Sequence, residues 1–126
     1  MVKVGVAPYL ECSSAGEPRF SAFKARVKAY GLRTIEDLYQ CSKVINGVPV
    51  THWREGKGRA ADNQDQCSSF YSHLWDTYMA ENPDLMGLLV EADGLSDQFG
   101  QPGHCCQAVE LWRIRNRFLS NLKNER

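Results

Sequence analysis

The sequence predicts one α+β domain over residues 1–126, mostly helical with a small β element. Two observations favour this class: apolar residues recur at helical spacing in several stretches, and valines at every second position from 2 to 6 are typical of one short strand. Of the 126 residues, 43% are hydrophobic, which suffices for one core and is too little for two ordinary domains.

Turn and capping residues divide the first half of the chain into elements. Pro8 ends the first strand, and a turn-rich stretch follows it. Ser21 predicts a helix to about residue 30, stopped by Gly31. Thr34 predicts the start of the next helix, with two acids in its first turn. Asn46-Gly47 indicates a hairpin or a helix end, with a short edge strand over residues 48–51.

Residues 52–64 combine an aromatic, three cations and two glycines, which is a typical composition for a functional loop. The second half is predicted to be mostly helical. A core helix is expected over residues 65–81, and a second helix should start at Pro83 and reach about Ala92. After a glycine-rich loop over residues 94–103, a last helix should begin at Cys105. Its apolar residues are Val109, Trp112 and Leu119.

Charge is segregated along the chain although the net charge is zero. Residues 1–59 contain ten Lys or Arg and five acids, residues 60–112 contain nine acids and no Lys or Arg, and residues 113–126 contain five cations and one acid. Two explanations stay open. The basic blocks either meet around a positive cleft that suits a phosphate-bearing ligand, or they neutralise the acidic middle block within the fold.

The cysteines and the absence of several motifs exclude other classes. Five cysteines without disulfide-framework spacing favour reduced thiols in a cytoplasmic protein. A zinc site from Cys67, His104 and Cys105 is less expected than buried structural thiols, so no metal is predicted. The chain has no nucleophile elbow, P-loop or dinucleotide fingerprint, and no apolar run of the roughly 20 residues that a bilayer requires.

An acid, an amide and a base share one narrow helical face in the segment that Thr34 caps. Glu36, Gln40 and Lys43 fall within an arc of about 60° on an ideal helix. Such a face is either solvated or lines a polar site.

The order of motifs around this helix matters more than any one of them. The motifs are Arg19-Phe20-Ser21-Ala22-Phe23, Glu36 to Lys43, Lys57-Gly58-Arg59, Asn82-Pro83-Asp84-Leu85, Asp97-Gln98-Phe99-Gly100 and Leu111-Trp112-Arg113-Ile114-Arg115. In this order the chain resembles the NADAR superfamily, named for NAD and ADP-ribose metabolism, over about residues 17–118. Three departures are Ala22 in place of the usual Asn, no Trp before Gly100, and a stretch from His104 to Gln107 in place of a glycine-rich approach.

The resemblance implies a NADAR-like domain that hydrolyses an N-glycosidic bond between ribose and a base or base-like amine. Breaking this bond develops positive charge at the anomeric carbon, which a carboxylate stabilises. Glu36 and Asp97 are the catalytic candidates, although a lone loop Asp is more often a turn or cap residue. No cofactor is expected. Suitable substrates are an ADP-ribosylated base in nucleic acid or a ribosylated pyrimidine of the riboflavin pathway.

The predicted substrate contacts follow from side-chain chemistry. Gln40 could bind a ribose hydroxyl, and Lys43 could meet a phosphate or hold Glu36 ionised, unless Glu36 and Lys43 form only a weak surface pair. Flat rings could stack on a base, and cations could bind phosphate or simply be solvated. The predicted binding residues are Arg19, Phe20, Gln40, Lys43, Trp53, Lys57, Arg59 and Phe99. The alternative function is a non-catalytic protein that binds a nucleotide or ADP-ribose in the same pocket.

Overall fold

In a computed structural model of the protein, residues 9–11, 18–91, 94–96 and 107–124 are described. Within these ranges the chain is mostly helical, with short paired strands, which confirms the coarse α+β class. The strands are β1 (Tyr9–Glu11), β2 (Arg26–Val27), β3 (Arg33–Thr34), β4 (Val44–Ile45), β5 (Val48–Pro49) and β6 (Gly94–Ser96). The helices are α1 (Ile35–Cys41), α2 (Trp53–Gly56), α3 (Gln64–Glu81), α4 (Leu85–Glu91) and α5 (Gln107–Asn124).

The strands form three pairs. β1 pairs with β6 in parallel, whereas β2 with β3 and β4 with β5 are antiparallel. Two single turns of 3-10 helix, Pro18–Phe20 and Lys28–Tyr30, lie on either side of β2.

The core surrounds α3, which contacts both α1 and α5, while α4 packs on α5. Leu74 and Trp75 of α3 are fully buried, as are Leu89 of α4 and Leu111 of α5. Phe20, from the first 3-10 turn, is also fully buried in this cluster. One hydrophobic core therefore holds the described helices together.

Three sequence predictions about local structure are confirmed. Thr34 caps α1, since its Oγ1 accepts a hydrogen bond from the backbone N–H of Asp37 at 3.1 Å. Asn46 and Gly47 have φ values of 52° and 78° and connect β4 to β5, as expected for a tight hairpin with positive φ at both turn positions. The predicted core helix over residues 65–81 is α3.

The predicted helix from Ser21 to residue 30 is wrong. Ser21 instead begins a turn, in which its carbonyl accepts hydrogen bonds from the backbone N–H groups of Lys24 and Ala25. β2 follows and pairs with β3. Gly31 does end the second 3-10 turn, with a φ of 70°. Pairing across this short hairpin replaces the helix.

The predicted loop over residues 52–64 also differs, because it contains α2. His52 Nδ1 accepts from the backbone N–H of Arg54 at 3.2 Å, and a Glu55 carboxylate oxygen accepts from the backbone N–H of His52 at 3.0 Å. This reciprocal cap stabilises a single helical turn.

The helix expected to start at Pro83 is α4. It starts at Leu85, two residues later, and ends at Glu91.

The predicted apolar face of the last helix is wrong. Val109 is 65% exposed, whereas Ala108, Leu111 and Ile114 are buried. Trp112 is only partly buried, and Arg115 lies over its ring at 4.4 Å from the centroid. The buried stripe therefore lies next to the predicted one, rotated around the helix.

Part of the charge segregation is resolved by pairing inside the fold. Arg113 of α5 lies 3.0 Å from Asp76 and 2.9 Å from Glu110, and Arg117 lies 3.0 Å from the same Asp76. The Glu81 carboxylate accepts hydrogen bonds from the backbone N–H groups of residues 28 and 29. The last basic block thus neutralises acids of the middle block.

Several predictions lie outside the described residues. They concern the strand over residues 2–6, most of the loop over 94–103, and the start of the last helix before Gln107. Of the helices that are described, not one has the length and apolarity needed to cross a lipid bilayer.

Candidate active site around Glu36

Glu36 is placed by backbone contacts from two other parts of the chain. Its own N–H donates to the Ala22 carbonyl at 2.9 Å. The N–H of Ala22 in turn donates to Oε1 of Gln107, the first residue of α5, at 2.6 Å. The turn after Phe20 therefore joins the beginning of α1 to the beginning of α5. Ala22 itself is buried, and its backbone N–H is satisfied by the Gln107 side chain.

Two polar residues of the predicted face are buried: Gln40 of α1, and Lys43, which lies two residues beyond the end of that helix. Gln40 is 5% exposed and Lys43 is 4% exposed, although both are polar. α2 covers them and approaches closely through Gly56, where an added Cβ would lie 3.0 Å from both the backbone and side-chain oxygens of Gln40. A glycine at this position lets α2 approach α1 without the tight contact that a Cβ would make.

Lys43 is bound by two backbone oxygens, one from the last residue of α2 and one from three residues further along the chain. Its Nζ donates to the carbonyl of Gly56 at 2.9 Å and to that of Arg59 at 2.7 Å. The ammonium also lies 5.1 Å from the centroid of the Tyr39 ring. These contacts fix the segment from Gly56 to Arg59 against α1, since a buried ammonium must have its donors satisfied.

Glu36 accepts a hydrogen bond at Oε1 from Nε2 of Gln40 at 3.1 Å. Burial raises the pKa of the Glu36 carboxyl group, because a low-dielectric environment disfavours its charged form. The Gln40 hydrogen bond and the charges of Lys57 and Lys43 act in the opposite direction, and burial is the stronger effect. The other amide atom, Gln40 Oε1, is buried and has no hydrogen-bond partner among the residues that the structure describes.

Two aromatic rings and a lysine lie at the edge of this site and form the aromatic–cation cluster: Phe23, Trp53 and Lys57. The Lys57 Nζ lies 5.2 Å from the centroid of Phe23 and 5.6 Å from that of Trp53. The two rings meet edge to face at 6.5 Å. His52 stacks on Trp53 at 6.0 Å, and the Arg54 guanidinium lies 5.2 Å from the Trp53 centroid.

The remaining predicted site residues are placed differently. Phe20 is fully buried in the core and presents no accessible ring face. Arg19 and Arg59 are exposed, and the Arg19 carbonyl accepts a hydrogen bond from the Tyr78 hydroxyl at 2.7 Å. Asp97 and Phe99 lie outside the described residues. The structure thus brings together Glu36, Gln40 and Lys43 with Trp53, Lys57 and Arg59.

Sequence reasoning missed two contributors to the site. Phe23 belongs to the motif that begins at Arg19, but it was not assigned a role. Gly56 lies in the glycine-rich stretch, and its close contact with Gln40 depends on an α2 that was predicted as loop. An aromatic residue directly after the buried turn was the available signal for Phe23.

No cluster of three or more His, Cys, Asp or Glu residues suited to a metal ion occurs within the described ranges. Cys67 is buried, and its thiol lies 3.4 Å from Asn63 Oδ1 and 3.5 Å from the Ser42 carbonyl. The other two residues of the zinc alternative, His104 and Cys105, lie outside these ranges.

A separate groove of about 490 Å³ lies between α3, α4 and α5. Its lining includes Met79, Met86, Val90, Ile114 and Phe118, and none of the predicted site residues contributes to it.

No protein-family model, no curated protein and no solved structure matches the chain. The functional interpretation therefore depends on the residues around Glu36 and on their chemistry.

Proposed function

We propose that the chain is a NADAR-like hydrolase that cleaves the N-glycosidic bond of a ribosylated substrate, such as an ADP-ribosylated base in nucleic acid or a ribosylated pyrimidine. The observation that supports this most is the Glu36 carboxyl group. It is largely buried, its pKa is raised by burial, and it lies beside a buried amide and two lysines. Carboxyl groups kept in such costly environments are enriched at catalytic sites.

The chemistry needs a carboxylate at this place. Hydrolysis breaks the bond between the anomeric carbon and the base nitrogen, and the bonding electron pair leaves with the base. Water supplies a hydroxyl group to the carbon and a proton to the base. A carboxylate next to the anomeric carbon stabilises its developing positive charge and can accept the proton of the attacking water. We assign this role to Glu36, with Asp97 as the second candidate carboxylate.

The neighbouring residues suit binding and orientation. Gln40 holds Glu36 through its amide and keeps the carboxylate in one orientation. Lys57 and Arg59 are exposed cations in the segment that packs on α1 and are suited to phosphate groups, and Arg19 is a third exposed cation. Trp53 offers a ring for a base, which would have to displace one of the side chains that now contact it. Hydrolysis of this kind requires no cofactor.

We place this activity in the cytoplasm, since the cysteines lack disulfide-framework spacing and Cys41 and Cys67 are free thiols. The partner is the ribosylated nucleotide or base itself.

The test is to incubate the protein with each of two substrates and to detect the released base by mass spectrometry. One substrate is a single-stranded oligonucleotide with an ADP-ribosylated base, and the other is a ribosylated aminopyrimidine phosphate. Glu36→Gln should slow release by roughly 10²-fold or more, whereas Asp37→Asn, which alters the adjacent, partly exposed carboxylate, should retain it. Tight binding of ADP-ribose without release of any base would contradict the hydrolase and support the alternative function, a non-catalytic protein that binds ADP-ribose.

A further inference from the structure

The groove between α3, α4 and α5 continues at the surface along α5. Phe118, which lines the groove, is 37% exposed. Leu122 lies one helical turn later on the same face and is 43% exposed. In the first half of α5 this face is buried, since Leu111 and Ile114 belong to the core. The apolar stripe of α5 therefore extends beyond the elements that cover its beginning.

The shape of this surface suits a helix more than a small molecule. A ligand confined to the groove would leave Leu122 exposed, because Leu122 is not part of the groove lining. Met79 and Met86 line the groove beside Phe118, and unbranched Met side chains adapt to an irregular partner. Helices bind in such grooves through apolar residues one turn apart. The expected occupant is a helix that lies along α5 and covers both Phe118 and Leu122.

The α4 side of the groove is acidic. Glu91 is exposed and directly follows Val90, which lines the groove. Glu91 also lies one turn after Gly87, another lining residue, so these two residues share a face of α4. Asp84 is a second exposed acid, just before the start of α4. From the last residue of α3 to the last residue of α4 the chain contains three acids and no Lys or Arg.

The α5 side of the groove is basic. Arg117 lines the groove, and its side chain is 54% exposed. Its Nη2 shares Oδ1 of Asp76 with Arg113, which has Glu110 as a second acid. Arg117 is therefore the less neutralised of the two guanidinium groups. From Arg113 to the end of α5 the chain contains four Lys or Arg and no acid.

We propose that the occupant of the groove is a second copy of this chain, which forms a two-fold symmetric dimer. Each α5 then lies along α4 of the other copy. Arg117 of one copy meets Glu91 of the other, and symmetry makes this contact twice. The interface covers Phe118 and Leu122 of both copies. One acidic side and one basic side make the surface complementary to itself, and the net charge of zero leaves no overall repulsion to oppose association.

The test is the mass of the purified chain in solution, measured by sedimentation velocity. Monomer should convert to dimer as the concentration is raised to about 1 mM. Phe118→Asp places a charge in the proposed interface and should weaken the dimer by roughly 10²-fold or more. Val109→Asp is the matched control and should leave the dimer unchanged, because Val109 is 65% exposed on α5 and does not line the groove. Circular dichroism verifies that both variants fold.

Two charge reversals test the pairing of α4 with α5. Arg117→Glu and Glu91→Arg each bring like charges together at both contacts, so each alone should weaken self-association by roughly tenfold. Mixed in equal amounts, the two variants should form a heterodimer in which both contacts again join opposite charges. The double variant should dimerise about as well as the wild type. A variant that merely fails to fold would not be restored by mixing.

Two results would overturn the proposal. One is a monomer at every concentration, and binding of an amphipathic peptide or an apolar dye by that monomer would assign the groove to another occupant. The other is a dimer that Phe118→Asp leaves intact or that mixing of the charge-reversed variants does not restore. Neither result depends on Glu36 or on the proposed hydrolase activity.

Discussion

Glu36 and Asp37 are adjacent in the first turn of α1, yet their carboxyl pKa values are displaced in opposite directions. Burial raises the pKa of Glu36. For Asp37, hydrogen bonds from Arg33, with Nε at 2.7 Å and Nη2 at 3.1 Å, lower the pKa. One carboxylate is stabilised by its partner, and the other is kept in an environment that disfavours its charge. This contrast distinguishes a structural acid from a candidate catalytic one.

Glu36→Gln should make the protein more stable at neutral pH. The folded-state pKa of Glu36 lies above its ordinary value of 4.5, so its contribution to stability is complete below that value and is lost as the pH rises through the folded pKa. Glutamine has no charge to desolvate and can still accept the Gln40 hydrogen bond. Melting temperatures should therefore be higher for the variant at neutral pH, and the difference should shrink on acidification.

The control is Asp37→Asn, for which the opposite sign is expected. The pKa of Asp37 is below its ordinary value of 3.8, so its stabilising contribution is present above that value and is lost as the pH falls through the folded pKa. The variant should be slightly less stable at neutral pH, since Arg33 is exposed and surface pairs contribute little. A Glu36→Gln variant that is less stable at neutral pH would contradict the burial of its charge.

Local signals in the sequence predicted those elements whose own residues determine them. Thr34 needs only the N–H of Asp37 to cap α1, and Asn46-Gly47 needs only its own positive φ angles. The helix predicted after Ser21 is wrong because the conformation of this segment depends on the pairing of β2 with β3, a contact between separate pieces of chain. The predicted apolar face of α5 is wrong because the buried face includes Ala108. This side chain is small, and its burial depends on what packs against it.

For the site, helical geometry predicted correctly that Glu36 and Gln40 share a face of α1, whereas Lys43 lies two residues beyond the end of that helix. It did not predict whether that face is solvated, because the covering element is α2, whose single turn depends on the cap between His52 and Glu55. The contacts of Lys43 with backbone carbonyls also escape sequence reasoning, since backbone oxygens have no sequence signature.

Lys43→Met should destabilise the fold by about 2–4 kcal/mol. Methionine fills similar space but makes neither of the two hydrogen bonds that the ammonium donates to the Gly56 and Arg59 carbonyls, and a hydrogen bond from a charged group contributes about 1.5–3 kcal/mol. Urea unfolding at neutral pH measures the loss. Lys57→Met, at an exposed lysine in the same segment, is the control and should cost less, about 1 kcal/mol, because it removes only cation–π contacts at the surface.

Gly56→Ala should cost about 1–3 kcal/mol, because its Cβ would lie 3.0 Å from both the backbone and the side-chain oxygen of Gln40, and these neighbours would have to shift by a few tenths of an ångström. The adjacent Gly58 differs, since it has open space around a Cβ but a φ of 75°. Gly58→Ala should therefore lose stability through backbone strain alone, without a steric contact of its Cβ. If Gly56→Ala is neutral by thermal unfolding, α2 does not pack on Gln40 as closely as described.

Trp53→Ala should raise KM more than it lowers kcat. Loss of a stacking face weakens the ground state and the transition state alike, by the roughly 1–3 kcal/mol that base stacking contributes. Kinetics should be measured at a pH high enough for Glu36 to be ionised in both proteins, so that the comparison reports the loss of the ring. A variant with unchanged KM and a large loss in kcat would show that Trp53 acts in the chemical step and not in substrate binding.

Glu36→Gln should lower kcat by roughly 10²-fold or more with ligand binding nearly intact, because the amide retains the shape and hydrogen bonding of the carboxylate but cannot stabilise positive charge at the anomeric carbon. The same variant is expected to be more stable at neutral pH, so lost turnover cannot be attributed to unfolding. Steady-state kinetics and ADP-ribose affinity, measured on one preparation, separate the two quantities. Full turnover by this variant on the true substrate would remove Glu36 from the mechanism and leave Asp97 as the carboxylate to test next.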